Sequence, residues 1–422
     1  HQEANGPNGE NVGGIRLYDS ELTSSNGKLK LTGIGGSGTI LDDSEGIYVD
    51  ETTLRASAID LNGTGGKAAK PNLSDKSTGI RIRQSTLDTG SPALTLTTEA
   101  NGNIVLKGTG GSGKDDISGI SIVDGSTIDS SGSIEITGQG GFGDTLKNVN
   151  GVLITGEYPH TTITEGDTTI KANKAISING EGGLATKNDA SVGVNIEYAE
   201  IESDQQVEIK GVGGTSTGTS IEEENHNGFL EGVTIWRSTI TVNSSDTESS
   251  ISNPYGATLI VDGSAGRSDG FVSSASGVFL DNSTLKTDGV LHLKGSGGNS
   301  SSNISLNSSG IWSMYGTLQG SSVQIEGQGG SSSNLDAIIP VAIGQTDSGG
   351  QIYNRYTQVS RGVYLQGTNI AAESGSPNHN GAITINGVAR EGNENLNGIA
   401  GDLIVLFSEL ATVSLAGLLF LS

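Results

Sequence analysis

Short stretches along most of the chain alternate apolar and polar residues. Clear examples are Leu29–Leu31, Ile134–Ile136 and Leu291–Leu293. A period of two places successive side chains on opposite faces of an extended strand, so each stretch predicts a strand with one buried face. No stretch before residue 400 shows a convincing period of 3.6. The pattern therefore predicts an all-β protein with almost no helix.

A four-residue motif recurs from end to end: a glycine, a β-branched residue, any residue and an aliphatic residue, as in Gly119–Ile122. Ten copies, the ninth a weaker one, lie 32 to 52 residues apart and open at Gly14, Gly46, Gly79, Gly119, Gly151, Gly193, Gly232, Gly277, Gly310 and Gly362. Self-similarity at such a period is the signature of a repeat architecture.

Each repeat contains two further elements. A Ser/Thr-x-Leu/Ile triplet follows the opening motif in several repeats, as in Ser85–Leu87. An alternating strand then runs into a glycine knot, Gly-x-Gly-Gly, in eight of the ten repeats. We expect the knot glycines to supply sharp turns with positive φ and to let stacked backbones approach closely.

Strands this short cannot bury much surface alone, but stacked on the same strands of the next repeat they build one continuous core. The sequence therefore predicts a single elongated parallel β-solenoid of about ten coils over residues 14–397. A polar N-terminal arm over 1–13 and an apolar cap or docking segment over 398–422 would flank it. Insertions in the coils would form outer loops suited to recognition.

Composition narrows the classes of function. The 422 residues include 67 glycines and no cysteine, which excludes a disulfide scaffold and a cysteine metal site. The formal net charge is −24, so the chain would repel phosphates and nucleic acid is not an expected partner. The acidic excess falls mainly in turns and outward strand positions, where it would keep the protein soluble.

The repeat Gly119–Gly141, which reads GISIVDGSTIDSSGSIEITGQGG, resembles those of the filamentous haemagglutinin-like proteins. Many of these large bacterial proteins are secreted by the two-partner route, and they are common in cyanobacteria. The resemblance covers about residues 13–390 and implies a right-handed parallel β-helix, an extracellular chain and a role in adhesion or surface fibres. The repeats here are longer, the family's N-terminal secretion domain is not visible, and the C-terminal run is atypical.

Candidate metal ligands are few. Gly110–Asp115 matches one calcium-binding nonapeptide unit, but such sites need tandem copies, and no neighbouring knot repeats the aspartate. A plain turn is the better interpretation, with Asp115 and Asp116 kept as weak calcium candidates and no other cofactor expected. His226 and His379 lie in insertions four coils apart, too far to share an ion.

Catalytic chemistry is not expected. A polysaccharide-cleaving β-helix needs carboxylates that converge on one face, and we find no cluster at matched offsets in successive repeats. Asp124 with Asp129, or Asp281 with Asp288, are better explained as solvated turn residues. The two tryptophans, Trp236 and Trp312, would either stack on sugars or pack on a neighbouring loop or subunit.

The C-terminal run Leu403–Leu421 is largely apolar and carries one charge. Three interpretations stay open: an incomplete last coil or cap, a tail that docks into the next subunit, and a membrane anchor, which is not favoured because of the central Glu409. The docking residues would be Leu403, Ile404, Val405, Leu406, Phe407, Leu415, Leu418, Leu419 and Phe420.

These observations predict an extracellular structural or adhesive protein of a bacterial cell surface. Solenoid ends carry unpaired strand edges, so copies of the chain would stack head to tail into a filament. Surface glycans or other cells are the further partners we expect. The alternatives are a carbohydrate-active β-helix enzyme, a tailspike-like polysaccharide-binding protein of a phage, and an autotransporter passenger domain.

Overall fold

A computed structural model describes residues 13–39, 43–71, 76–90, 102–114, 116–143, 149–157, 167–186, 190–217, 229–243, 257–268, 272–300, 305–330, 339–345, 351–356, 360–372, 381–389, 396–400, 403–407, 413–416 and 419–420. The regular elements in these ranges are β-strands, without any α-helix, which confirms the all-β prediction. It follows that these ranges also hold no helix of the length and hydropathy that a membrane span requires.

The first sheet gathers one strand from each pass of the chain, paired in parallel and in chain order. All ten opening motifs lie on its strands. In the described part of the chain its strands are Ile15–Tyr18, Ile47–Asp50, Ile80–Arg83, Ile120–Val123, Val152–Thr155, Val194–Glu197, Val233–Trp236, Val278–Asp281, Ile311–Met314, Ser360–Gln366, Leu396–Ala400 and Leu419–Phe420. We use the word coil for the stretch from one of these strands to the next.

The second sheet contains two rows of parallel strands. Within each coil, the strand of the first row comes before the strand of the second row in the sequence. In the first two coils one long strand serves both rows. Its described strands are Glu21–Ile34, Thr53–Thr64, Thr86–Asp88, Ile104–Thr109, Thr127–Ser130, Ile134–Gln139, Thr168–Ala172, Ala175–Glu181, Ala199–Ser203, Gln206–Val212, Thr239–Val242, Thr258–Ser264, Thr284–Thr287, Val290–Ser296, Thr317–Gly320, Ser322–Gln328, Thr368–Ala372, Ile383–Val388, Leu403–Phe407 and Val413–Ala416.

A third parallel sheet consists of two-residue strands that follow the glycine knots. These are Ser37–Gly38, Lys67–Ala68, Ser112–Gly113, Phe142–Gly143, Leu184–Ala185, Thr215–Ser216, Arg267–Ser268 and Asn299–Ser300. Val272–Ser274 pairs in parallel with Ser305–Asn307. Ile339–Gln345 and Gln351–Tyr356 form an antiparallel hairpin within the longest insertion. Mostly parallel sheets with this strand order are consistent with a parallel β-helix.

Rows of identical or similar aliphatic side chains run through the interior. Ile80 lies beside Ile120 and Ile82 beside Ile122, and all four are fully buried. Each such side chain contributes roughly 1.5–3 kcal/mol through its removal from water. The first coil differs, because the side chains of its core residues are only partly buried: Ile15, Leu17, Leu22, Leu29 and Leu31.

The apolar C-terminal run continues the sheets. Leu403–Phe407 pairs in parallel with Thr368–Ala372, and Val413–Ala416 pairs with Ile383–Asn386. Leu396–Ala400 and Leu419–Phe420 add two strands to the first sheet beyond the ten recognised by motif. Both strands depart from the opening motif, because Gly398-Ile399-Ala400 lacks the final aliphatic residue and Gly417-Leu418 lacks the β-branched one. Leu418 lies outside the described residues.

The knot glycines serve close approach rather than positive φ. Among the described residues, the glycines with positive φ are Gly102, Gly125, Gly367 and Gly381, and none belongs to a knot. A Cβ at Gly138, the first knot glycine of its coil, would lie 2.1 Å from the carbonyl oxygen of Gly151. The expected need for positive φ in the knots is therefore wrong, and the expected close approach of backbones is confirmed.

Positive φ occurs instead at the corner between the first and second sheets. The residue five positions after the opening glycine has positive φ in nine coils, and eight of the nine are not glycine: Asp19, Glu51, Gln84, Asp124, Tyr198, Arg237, Asn282, Tyr315 and Gly367. A serine or threonine follows at most of these corners. The Ser85 hydroxyl donates to the carbonyl of Arg83 at 2.6 Å, which stabilises the corner.

Candidate functional site

The residues on either side of the first knot glycine face outward in every coil where they are described. In the fourth coil these are Thr137 and Gln139, which flank Gly138. Strand alternation turns the glycine inward and its two neighbours to solvent. The same alternation recurs in register, since Thr137 pairs with Asn179 and Gln139 with Glu181. Two columns of outward side chains therefore run across the coils with a glycine column between them, and most of these side chains are polar, with Ile34, Val212 and Val388 as exceptions.

A groove of about 540 Å³ lies along these columns and crosses six consecutive coils, from Asn62 to Ser264. Consecutive parallel strands lie about 4.8 Å apart, so the groove is roughly 24 Å long. Its volume lies within the range of ligand-binding clefts. The absence of side chains at the glycine column leaves backbone as the floor between the columns.

Amide and hydroxyl groups line the groove together with charged side chains and the exposed Val212. Asn62, Thr109, Thr137, Gln139 and Asn179 line it. These groups donate and accept hydrogen bonds without net charge, and they occur in five of the six coils, the exception being the coil of Lys210 and Val212. Such a surface suits an extended neutral polymer that offers hydroxyl groups at regular intervals.

The two lysines of the groove are paired with glutamates outside it. Lys107 Nζ lies 3.3 Å from Glu135 Oε1, and Lys210 Nζ lies 2.6 Å from Glu208 Oε1. The hydrogen bond to the Glu208 carboxylate raises the pKa of Lys210. Both lysines are exposed, so each pair adds little stability and can rearrange toward a ligand.

Aromatic residues form a ladder on the outer face of the first sheet. Trp312 lies in register between Phe279 and Tyr364, with ring centroids 5.1 and 6.3 Å away. The ring planes are inclined at 66° and 56°, so the rings pack edge against face rather than forming a flat platform. Trp236 packs on Tyr198 with centroids 5.3 Å apart. The tryptophans thus pack on aromatic residues of neighbouring strands, a partner that neither sequence interpretation named.

A polar network lies on the same face near the N-terminal end. Arg83 donates two hydrogen bonds to Asp50, at 2.7 and 2.9 Å, and Tyr48 donates a third at 2.8 Å. Burial acts to raise the pKa of Asp50, but the hydrogen bonds from Arg83 and Tyr48 outweigh it and hold this pKa below 3.8. Burial, together with the bond to Asp50, raises the pKa of Tyr48 to about 12. The network fixes charges in place at a buried position.

One pair of carboxylates does occur at matched positions of successive coils. Asp88 and Asp129 lie in register, Arg55 pairs with Asp88 on one side, and Lys171 pairs with Asp129 on the other. A methyl group placed on Gly90 would lie 3.7 Å from an oxygen of each carboxylate. Partial burial and the neighbouring Asp88 raise the pKa of Asp129. The two residues lie at different distances from their opening glycines, nine residues after Gly79 and ten after Gly119, so a comparison of offsets does not reveal the pair.

Of the two weak calcium candidates, the structure describes only Asp116. Asp115 lies outside the described residues, as do His226 and His379. The Asp116 carboxylate lies 3.8 Å from Arg81, and its carbonyl accepts a hydrogen bond from Thr78. No group of three or more His, Cys, Asp or Glu residues able to hold a metal occurs in the part of the chain that the structure describes.

The groove residues were missed by sequence reasoning, although the chain carries a signal for them. They are the neighbours of the first knot glycine, such as Lys107 and Thr109 around Gly108. The knot glycines recur from repeat to repeat, whereas their neighbours vary in type. No protein-family model, curated protein or solved structure matches the chain.

Proposed function

We propose that this chain is an extracellular structural and adhesive β-solenoid of a bacterial surface, a right-handed β-helix of about ten coils that binds surface glycans along its groove. The observation that carries the proposal is the polar groove across six coils from Asn62 to Ser264. The resemblance of the repeats to filamentous haemagglutinin-like proteins supports the location and the handedness.

The mechanism is the repetition of weak contacts on a rigid scaffold. Each coil offers one pair of outward side chains beside the glycine column, and the parallel register keeps these pairs at a constant spacing. A glycan lying along the groove would meet several pairs at once, so that individually weak hydrogen bonds sum over one chain. The rigid strands keep the ordering cost low on the protein side.

Glycan-array binding of the purified protein tests the proposal, followed by titration of the best ligand. The double variant Gln139→Ala, Asn179→Ala should weaken binding at least tenfold. Gln328→Ala is the matched control, because Gln328 occupies the same column as Gln139 two coils beyond the end of the groove. Absence of any glycan binding, or equal loss in the control, would reject the groove as the binding site.

We further propose that copies stack head to tail. The partly buried core residues of the first coil support this, since a second copy would cover them. The strands at the other end keep the same register, with Ile399 of the first sheet beside Leu419. The apolar residues Leu403 to Phe407 and Leu415, Leu419 and Phe420 would then meet the first coil of the next copy.

The core position shared by Leu31 and Leu106 provides a test of stacking, because Leu61 pairs in register with both. Leu106 is fully buried and Leu31 only partly. Leu106→Ala should cost about 2–5 kcal/mol at any protein concentration. Leu31→Ala should cost less in dilute solution and should shorten filaments seen by negative-stain microscopy. Isolated short rods at high concentration would reject stacking.

A carbohydrate-active enzyme is the second candidate, and the register of Asp88 and Asp129 is the observation that favours it. A general acid with a raised pKa beside a second carboxylate is the arrangement that glycoside hydrolysis uses. Incubation of a bound glycan with the protein, read out as reducing ends, decides between the candidates. Release of products that Asp129→Asn abolishes would support the enzyme, whereas unchanged glycan supports the adhesive function.

A further inference from the structure

The outer face of the first sheet is buried in the middle coils. Ser121, Leu153, Asn195 and Thr234 alternate with core residues and so point away from the core, yet none is more than 8% exposed. Outward residues of the second sheet, such as Lys107, are exposed. Polar groups on the buried face have lost water and need other partners.

Three acidic or amide side chains come together there between the sixth and seventh coils. Glu231 is 2% exposed, and its Oε2 accepts a hydrogen bond from the Thr234 hydroxyl. Thr234 lies in register beside Asn195. The Asn195 amide in turn donates to Glu197 Oε1 at 2.8 Å. Two side-chain hydrogen bonds and one register pair thus lie between the two glutamates.

The oxygens of this cluster are incompletely satisfied. Glu231 Oε1 and Asn195 Oδ1 are both buried without a hydrogen bond of good geometry, although the Ser274 hydroxyl lies near enough to Glu231 to act against the rise of its pKa. Among the described residues no lysine, arginine or histidine neutralises either glutamate. Burial raises the pKa of Glu231 to about 7, and the nearby Glu197 acts in the same direction. The site therefore combines the buried Glu231 and the partly buried Glu197 with the unpaired oxygen of Asn195.

Glu45 occupies the position in the second coil that corresponds to Glu231. It also directly precedes an opening glycine and is 2% exposed. Its Oε2, however, lies 3.3 Å from the guanidinium of Arg16, one coil away. A positive charge thus accompanies the buried glutamate in the second coil, and the described residues supply none to Glu231.

We propose that a calcium ion binds at this place, coordinated by the carboxylates of Glu231 and Glu197 and by Oδ1 of Asn195. Calcium prefers carboxylate and carbonyl oxygens and accepts flexible geometry, and its double charge balances two carboxylates. The ion would tie the sixth coil to the seventh. This site is separate from the groove, so its test does not depend on glycan binding.

Terbium luminescence and thermal unfolding test the site. Trp236 lies in register beside Glu197, close enough to sensitise a bound terbium ion. We expect saturable emission on tryptophan excitation that calcium displaces, together with a rise in unfolding temperature on addition of calcium. Glu231→Gln should abolish both effects and remove one equivalent of bound calcium measured by mass spectrometry. Trp236→Phe should lose most of the emission yet keep the calcium-dependent rise in unfolding temperature.

Glu45→Gln is the matched control, because it removes a buried glutamate that an arginine already neutralises. It should leave terbium emission and the calcium effect unchanged. The proposal is overturned if wild type and Glu231→Gln bind the same number of calcium ions, or if calcium never displaces terbium. A Glu231→Gln variant that is more stable than wild type at neutral pH with calcium present would show that Glu231 holds a proton instead.

Discussion

The backbone amide of Thr52 donates a hydrogen bond of 3.0 Å to the hydroxyl of Ser85, one coil further along the rod. The same link joins Ser20 to Thr52 and Ser238 to Ser283, at 3.3 Å each. The Ser/Thr-x-Leu/Ile triplets of the sequence thus form a ladder of hydroxyl groups along one corner. Each hydroxyl accepts a hydrogen bond from a backbone amide of the preceding coil. It also donates one to a backbone carbonyl of its own coil.

Removal of one hydroxyl from this ladder tests its contribution. Ser85→Ala leaves the buried amide of Thr52 without its partner, and such a loss costs about 1–3 kcal/mol in the free energy of unfolding. Ser85→Thr should retain most of the stability, because threonine already occupies the equivalent corner at Thr52. Chemical denaturation checks both, and an alanine variant as stable as wild type would contradict the ladder.

Gly138 provides a test of close approach. Gly138→Ala would place a methyl group 2.1 Å from the Gly151 carbonyl, which belongs to backbone and cannot turn away. We expect poor folding or a loss of several kcal/mol in stability. Gly90→Ala is the control, since the nearest atoms to its added methyl are carboxylate oxygens at 3.7 Å. Similar expression and melting of the two variants would contradict the close-approach argument.

Substitution by glycine at a corner residue with positive φ should stabilise the fold. Gln84 is exposed and has φ of 46°, a conformation that costs a non-glycine residue roughly 1–2 kcal/mol. Gln84→Gly should therefore raise the unfolding temperature. Lys107→Gly, at an exposed strand position with ordinary φ, should lower it because glycine weakens a strand. A decrease in both variants would contradict the assignment of strain to the corner.

The pair of Asp50 with Arg83 predicts a dependence of stability on acid. The pKa of Asp50 in the folded protein lies below its ordinary 3.8, so its contribution is present above that pH. The contribution is lost as the pH falls through the folded pKa. Asp50→Asn should thus be less stable than wild type at neutral pH, and the difference should shrink below pH 3.8.

Urea unfolding across this pH range provides the measurement. Tyr48→Phe keeps the Arg83 pair and removes one hydrogen bond to Asp50, so it should show the same trend to a smaller extent. A difference between wild type and Asp50→Asn that stays constant with pH would show that the aspartate stabilises the fold without its charge.

Local pattern was sufficient to predict the strands. The opening motif at Gly119 predicts a strand because its period of two depends on neighbouring residues only, and Ile120–Val123 is a strand of the first sheet. The pairing of repeats followed from their similarity, as in Ile120 beside Val152. These inferences need no knowledge of distant contacts.

Features that depend on exact register could not be predicted in the same way. The 41 positions that separate Asp88 from Asp129 include an insertion, so counting along the chain does not place the two residues side by side. The burial of Glu231 depends on what covers the outer face of the first sheet. The groove depends on columns of residues whose types vary from coil to coil, which a search for identical motifs overlooks.

The unbroken register of the sheets has a consequence for how such a protein can change over generations. Loss or duplication of one coil, for example residues 119–150, would remove or add one strand per row and leave the neighbouring coils able to pair as before. The length of the stack of coils would therefore change in steps of about 4.8 Å, the spacing between neighbouring strands. The groove would lengthen or shorten by the same step, while the contacts within each remaining coil stay unchanged.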